Sequence, residues 1–289
     1  MGEIGKFYQV EGCCPHETGG KGATVNPQAS ASDEQLNELE QVAERLAAML
    51  WAGEEIFIDD DLLRAGAEFL MQALSAGTGK ELIGIDWKQP DWGLYRQLRD
   101  NVWRVSGYKA WHQIRDLSAL LIDKRGRKIR TFGEYLQEFR KVNATYSRQW
   151  AEAEYLHAMH SGRNADRWQE MWQDRAHYNV RYNAVNDGRT TDFCRGLNGV
   201  TLPMESDFWA TNAPPNHWRC RSLLEQVPKE QGEVAYKGGP AKDDSFFDHN
   251  SGLTGIVFPA KHPYFKVPQG VQLDIDQKVN ETIQRIYGG

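Results

Sequence analysis

The chain has 289 residues, a formal net charge of -6 and a pI near 5.8. That balance excludes a protein that coats nucleic acid through general positive charge, and the length leaves ample apolar material for one large or two modest domains. Charge is uneven: residues 1–90 carry 16 acidic against 6 basic side chains, residues 91–180 carry 11 against 16, and residues 181–289 carry 13 against 12.

No run approaches the ~20 consecutive apolar residues of a membrane span. The start MGEIGKFYQVEGCC lacks the basic-then-apolar order of a secretory signal, and Lys6 breaks a myristoylation pattern. Four cysteines in a chain this long do not make a disulfide scaffold, so a soluble protein made in a reducing cytoplasm is expected.

Residues 1–31 are rich in small residues and read as a flexible arm. The Cys13-Cys14-Pro15-His16 cluster within it could bind a metal, but adjacent cysteines make a poor chelate and no second pair follows, so surface thiols are expected. Ser32 and Gln35 form a capping box ahead of a helix whose apolar face is Leu36, Leu39, Val42, Ala43, Leu46 and Leu50. A second helix is expected from about Asp60 to Ser75. Gly77-Thr78-Gly79-Lys80 resembles a phosphate loop only superficially: Leu74 stands where its first glycine belongs, Glu81 replaces the magnesium-binding hydroxyl, and no strand precedes it. A helix C-terminal turn is expected there.

A long helical region begins at Pro90-Asp91-Trp92 and keeps a 3.6-residue period through Leu121, loosened at Ser106-Gly107. Asp123 to Lys128 is a basic turn. Thr131 and Glu134 open a further helix through a second capping box, and it runs on past Tyr146 and Trp150 towards Trp172. Glu154, His157 and His160 lie on it at spacings that do not share one face, and no His-Glu-x-x-His pattern is present, so a polar, partly buried helix face is expected. Beyond Leu224, Pro259, Pro263 and Pro268 exclude a long helix or central strand in that stretch. The reading there is an extended segment laid against a neighbour, then a short amphipathic helix from Gln277 to Tyr287.

The segment Arg181–Leu224 is the richest in chemistry, with two of the four cysteines, five arginines, two tryptophans and a histidine. Asp187-Gly188 and Asn198-Gly199 mark tight turns, which points to a compact β-containing module. Cys194, His217 and Cys220 are weak candidate metal ligands, with Asp187 or Asp192 as a fourth, because neither cysteine belongs to a Cys-x-x-Cys pair. A thiol nucleophile would use Cys220 or Cys194 with His217, but no third orienting group is evident. The structural reading accounts for more residues: Trp209, Trp218, Phe193, Phe208 and Leu197 form a small core, and Arg189, Arg219 and Arg221 clamp Asp187, Asp192 or Asp207.

The motif residues Asp187, Gly188, Arg189, Cys194, Leu197, Gly199 and Pro203, followed by Trp209, Pro214, Pro215, Trp218, Cys220 and Arg221, resemble those of the phage Mu protein F-like family of head morphogenesis proteins. The likeness extends over roughly residues 92–265. Family members often carry Cys-x-x-Cys and Cys-Arg-Cys where this chain has Thr191 and Ser222, so a four-thiolate site is not available here.

The resemblance implies a non-enzymatic minor capsid protein of a tailed phage or prophage. It would be a virion component inside the capsid, its partners being the portal protein, other capsid components and packaged double-stranded DNA, with no membrane. No cofactor is expected, zinc being the one candidate, and a metal- or thiol-dependent hydrolase using Cys194, His217 and Cys220 is the competing reading. The expected fold is α+β: a flexible arm (1–31), an acidic helical segment (32–90), a helical domain with a long helix (91–180), a small turn-rich β module (181–227) and an extended tail with a short terminal helix (228–289).

Overall fold

The computed structural model describes residues 2–8, 30–87, 92–242 and 244–288. It is α+β and mainly helical. Eleven helices are described: α1 (Gly2–Phe7), α2 (Asp33–Glu44), α3 (Leu46–Trp51), α4 (Asp60–Thr78), α5 (Gly93–Ala119), α6 (Phe132–Ala144), α7 (Ala151–Gln173), α8 (Asp192–Leu197), α9 (Phe208–Asn212), α10 (Ser251–Thr254) and α11 (Gln269–Tyr287). The Cys13-Cys14-Pro15-His16 cluster, Pro90 and Asp91 lie outside the described residues.

Both expected capping boxes form. The Ser32 hydroxyl accepts from Gln35 N at 3.2 Å while the Gln35 side chain accepts from Ser32 N at 2.8 Å. Thr131 and Glu134 make the same reciprocal pair at the start of α6. Helix α4 is the central strut of the body. Its Gly77 lies so close to α7 that a Cβ there would stand 2.0 Å from the Met159 carbonyl oxygen, so the two helices cross at this point only because the side chain is missing. Gly79 ends α4 in the left-handed conformation at φ 68°, the C-terminal turn expected of this stretch. Helices α6 and α7 are joined by a π-helical turn, Thr145–Trp150, and form the single long run that the periodicity predicted.

Helices α2 to α7, as far as Ala165, share one core with Ile4, Phe258, Tyr264 and the buried face of α11; in it Leu63, Leu70 and Leu74 of α4 join Trp103 and Tyr108 of α5 and Tyr155 and Ala158 of α7. Ser106-Gly107 does not loosen α5. A Cβ at Gly107 would stand 2.4 Å from Val279 Cγ2, so the missing side chain seats α11. Arg104 then pairs with both carboxylate oxygens of Asp276 at 2.8 and 3.0 Å.

The two ends of the chain correct the expectations. Residues 2–8, read as flexible, form α1 and a following turn; Ile4 is buried, and Phe7 and Tyr8 pack on the body core. The terminal helix is not short but covers nineteen residues, Gln269–Tyr287, starting directly after Pro268. Pro268 misled the reading because proline is compatible with the first positions of a helix. The proline-containing stretch lies against this chain's own helices. Asn101 on α5 accepts from the backbone of Val257 and Phe258 at 2.9 and 2.7 Å and donates to the Phe258 carbonyl at 3.0 Å.

Two small antiparallel sheets complete the fold. A hairpin, β1 (Ile122–Asp123) and β2 (Lys128–Ile129), projects between α5 and α6 and carries the basic turn. The second sheet has β3 (Tyr178–Asn183) at its centre, between β4 (Thr201–Pro203) and β5 (Leu223–Pro228). It runs in register Arg181 with Thr201 and Tyr182 with Leu224. No described helix is long and apolar enough to cross a membrane.

Candidate functional site: the turn-rich module

The module has its own core. Val180 and Tyr182, alternate residues of β3, point to one face and pack with Cys194, Leu197, Trp209, Cys220 and Leu224 over Trp168 and Met171 of α7. Thr191 caps α8, its hydroxyl accepting from Cys194 N at 3.3 Å, and so places Cys194 in the first turn facing β3. From the other side, the chain passes through a cis Pro214-Pro215 bond and turns at Arg219, whose φ is 59°. Cys220 N donates to the His217 carbonyl oxygen at 3.2 Å, and this turn brings Cys220 back under the sheet.

Cys194, His217 and Cys220 therefore meet, as the sequence suggested. The sulfurs are 3.9 Å apart, and with a ring nitrogen of His217 the three ligand atoms lie within 4.8 Å of one another. Tyr182 Oη donates to Cys194 Sγ at 3.2 Å, and Asn216 Nδ2 donates to Tyr182 Oη at 3.1 Å. His217 Nδ1 lies 2.8 Å from the Trp218 carbonyl oxygen, an acceptor, so that nitrogen carries the proton and Nε2 keeps its lone pair.

The hydrogen bond from the Cys194 thiol brings the Cys220 thiol down to about 6 against its burial, helped by the backbone N–H groups of Asn216 and Ser222. The same bond pushes Cys194 up to about 12, with burial adding to the rise. Cys194 and Cys220 are 0% and 1% exposed, so neither has the access that a catalytic nucleophile needs.

Asp187 and Asp192 do not join this group; each is taken by an arginine. Arg221 binds both oxygens of Asp187 at 2.8 and 2.6 Å and holds its carboxyl well below the usual carboxylate range, while Arg189 lies 3.8 Å from it. Asp192 pairs with Arg195. Of the expected clamps, Arg219 departs: it reaches Glu152 on α7 at 3.3 Å. Glu154, His157 and His160 also go separate ways. Glu154 is buried and accepts from Tyr8 Oη at 2.6 Å, Tyr264 Oη at 2.9 Å and Lys109 Nζ at 2.7 Å. His157 Nε2 lies 2.9 Å from the Val257 carbonyl oxygen, and His160 is buried further along the helix.

Trp218 does something the motif alone does not disclose. It leaves the module core and stacks on Phe246 at 5.5 Å, edge-on to Phe7 at 5.3 Å and His157 at 5.2 Å, and its Nε1 donates to the Phe7 carbonyl oxygen at 3.2 Å. Asn216 and Tyr182 were likewise missed as partners of the cysteine pair. Tyr182 lies on β3 and Asn216 beside the proline pair, so their contact with the cysteines requires the fold.

Residues 117–225 match the family model described as Phage Mu protein F like protein. The match begins in the last turn of α5, takes in the hairpin, α6, α7 and the module, and ends in β5. No curated protein and no solved structure matches the chain.

Proposed function

Because residues 117–225 carry the Mu protein F-like domain of phage head-morphogenesis proteins, we propose that this chain is a minor head protein that sits in few copies inside the capsid, close to the portal, and contacts packaged double-stranded DNA. The family match is the observation that carries the reading. The surface supports it. At the hairpin, Lys124, Arg125, Arg127 and Lys128 are exposed beside Ile122 and Ile129, which are 57% and 76% exposed. Exposed apolar residues ringed by positive charge suit a protein contact next to phosphates.

The module serves as a rigid fixture in this reading. Buried thiols and a bidentate arginine-aspartate pair brace it from within, and Trp218 ties it to His157 of α7, Phe246 and Phe7; none of these requires a substrate. Cross-linking of purified particles through Lys124 and Lys128, read by mass spectrometry, tests the placement. Links to portal peptides are expected, and links confined to major capsid protein away from the portal vertex would refute it. The hydrolase reading has its own test: hydrolysis by purified protein that disappears in a folded Cys220→Ala variant would favour an enzyme.

A further inference from the structure

We propose that Cys194, Cys220 and His217 form a zinc site that locks α8 to the turn following the Pro214-Pro215 bond. Four observations converge on it. First, the sulfur separation of 3.9 Å matches the spacing of two ligands of one ion; thiolates bound at ~2.3 Å to a tetrahedral zinc stand about 3.8 Å apart. Second, the three ligand atoms lie within 4.8 Å of one another although the cysteines are 26 residues apart in sequence. Third, the hydrogen bond of His217 Nδ1 to the Trp218 carbonyl is the second partner that metal-binding imidazoles usually have, and it leaves Nε2 as the donor. Fourth, the backbone N–H groups of Asn216 and Ser222 point at the Cys220 sulfur, the arrangement that supports a bound thiolate.

The donor set selects the metal class. Two sulfurs and an imidazole suit zinc and not the oxygen-seeking calcium or magnesium. The fourth ligand is a water, for which the chain offers an acceptor: Asn216 Oδ1 is buried and has no hydrogen-bond partner among the described residues. Its amide nitrogen already belongs to the same ring of contacts, through Tyr182 Oη. Thr191 and Ser222 are not needed as ligands. Thr191 is committed to capping α8, and Ser222 contributes its N–H. Binding closes the loop between residues 194 and 220, which stabilises the module by constraining the unfolded chain. The site rests on this geometry and not on the virion role, so either can fail alone.

The test uses full-length protein in which Cys13→Ser and Cys14→Ser remove the other two cysteines. Purified without chelator, it should hold about one zinc per chain by elemental mass spectrometry, falling at least about tenfold with Cys194→Ser or His217→Ala. To separate loss of metal from loss of fold, the decisive measurement keeps all three ligands. Zinc is stripped, circular dichroism verifies the fold, and cobalt is added. A thiolate-to-cobalt charge-transfer band and tetrahedral ligand-field bands are expected. A folded chain that binds neither zinc nor cobalt overturns the proposal, whether its two cysteines prove to be free thiols or a disulfide.

Discussion

The helical body and the turn-rich module are built by different means, although α7 runs through both. The body is a matter of periodicity: long apolar stripes on α4, α5 and α7, with glycines at Gly77 and Gly107 where helices approach most closely. The module has short elements and a smaller core. Its geometry is held by polar links such as Arg221–Asp187, the Thr191 cap and the contacts around Cys194 and Cys220. Trp218 belongs to the module in sequence and to the body in space. A stripe of apolar residues can form a core in many related ways, whereas a module of turns depends on a few particular contacts. The seam between them is where the two kinds of order can be separated.

Acid should act most strongly at that seam. Burial lowers His157 to about 3 and both His160 and His249 to about 4, and it holds His262 well below its ordinary value. Their folded pKa values are depressed, so below the unfolded value of about 6.5 the unfolded chain binds more protons and stability falls with pH. His157, His160 and His249 each remove about 2 kcal/mol between neutral pH and pH 5. Denaturant melts at pH 7 and pH 5 check this; a flat profile would contradict neutral buried histidines.

Trp218→Ala comes next, at about 4 kcal/mol. If Trp218 is the tie between the two regions, unfolding of the variant followed by tryptophan fluorescence and by helical circular dichroism should no longer coincide. Gly77→Ala instead attacks the body, costing about 3 kcal/mol because α4 and α7 must separate, and the two probes should then stay together. Arg221→Gln acts within the module alone. Asp187 is 36% exposed on its side chain, so solvent screening limits the loss to about 1 kcal/mol. The contribution is present above the unfolded aspartate pKa and fades as pH falls through the depressed folded value, so the wild-type advantage should shrink in acid. Arg125→Glu with Arg127→Glu should shift stability by less than about 0.5 kcal/mol while reducing incorporation into particles.

The body was legible because its signals are local. Ser32 with Gln35, Thr131 with Glu134 and the left-handed Gly79 act within a few residues, as do the 3.6-residue stripes. In the module, the meeting of Cys194, His217 and Cys220 could be listed from spacing but not asserted, since it depends on β3 and β5 pairing around it. Arg219 could not be matched to Glu152, which lies 67 residues upstream. The seating of Phe7 and Tyr8 was hidden for the same reason: their partners Trp218, His262 and Glu154 are distant in sequence, and a short helix among small residues reads as loose chain. Pro268 stood in sequence as a breaker and in the fold as the residue before α11.

The most direct test of the central claim is quantitative mass spectrometry of purified, DNA-filled particles from the phage or induced prophage that encodes this chain. The account predicts peptides from across residues 1–289, in far fewer copies than the major capsid protein and on the scale of the portal. Particles that are complete, infectious and free of this chain would contradict a minor head protein.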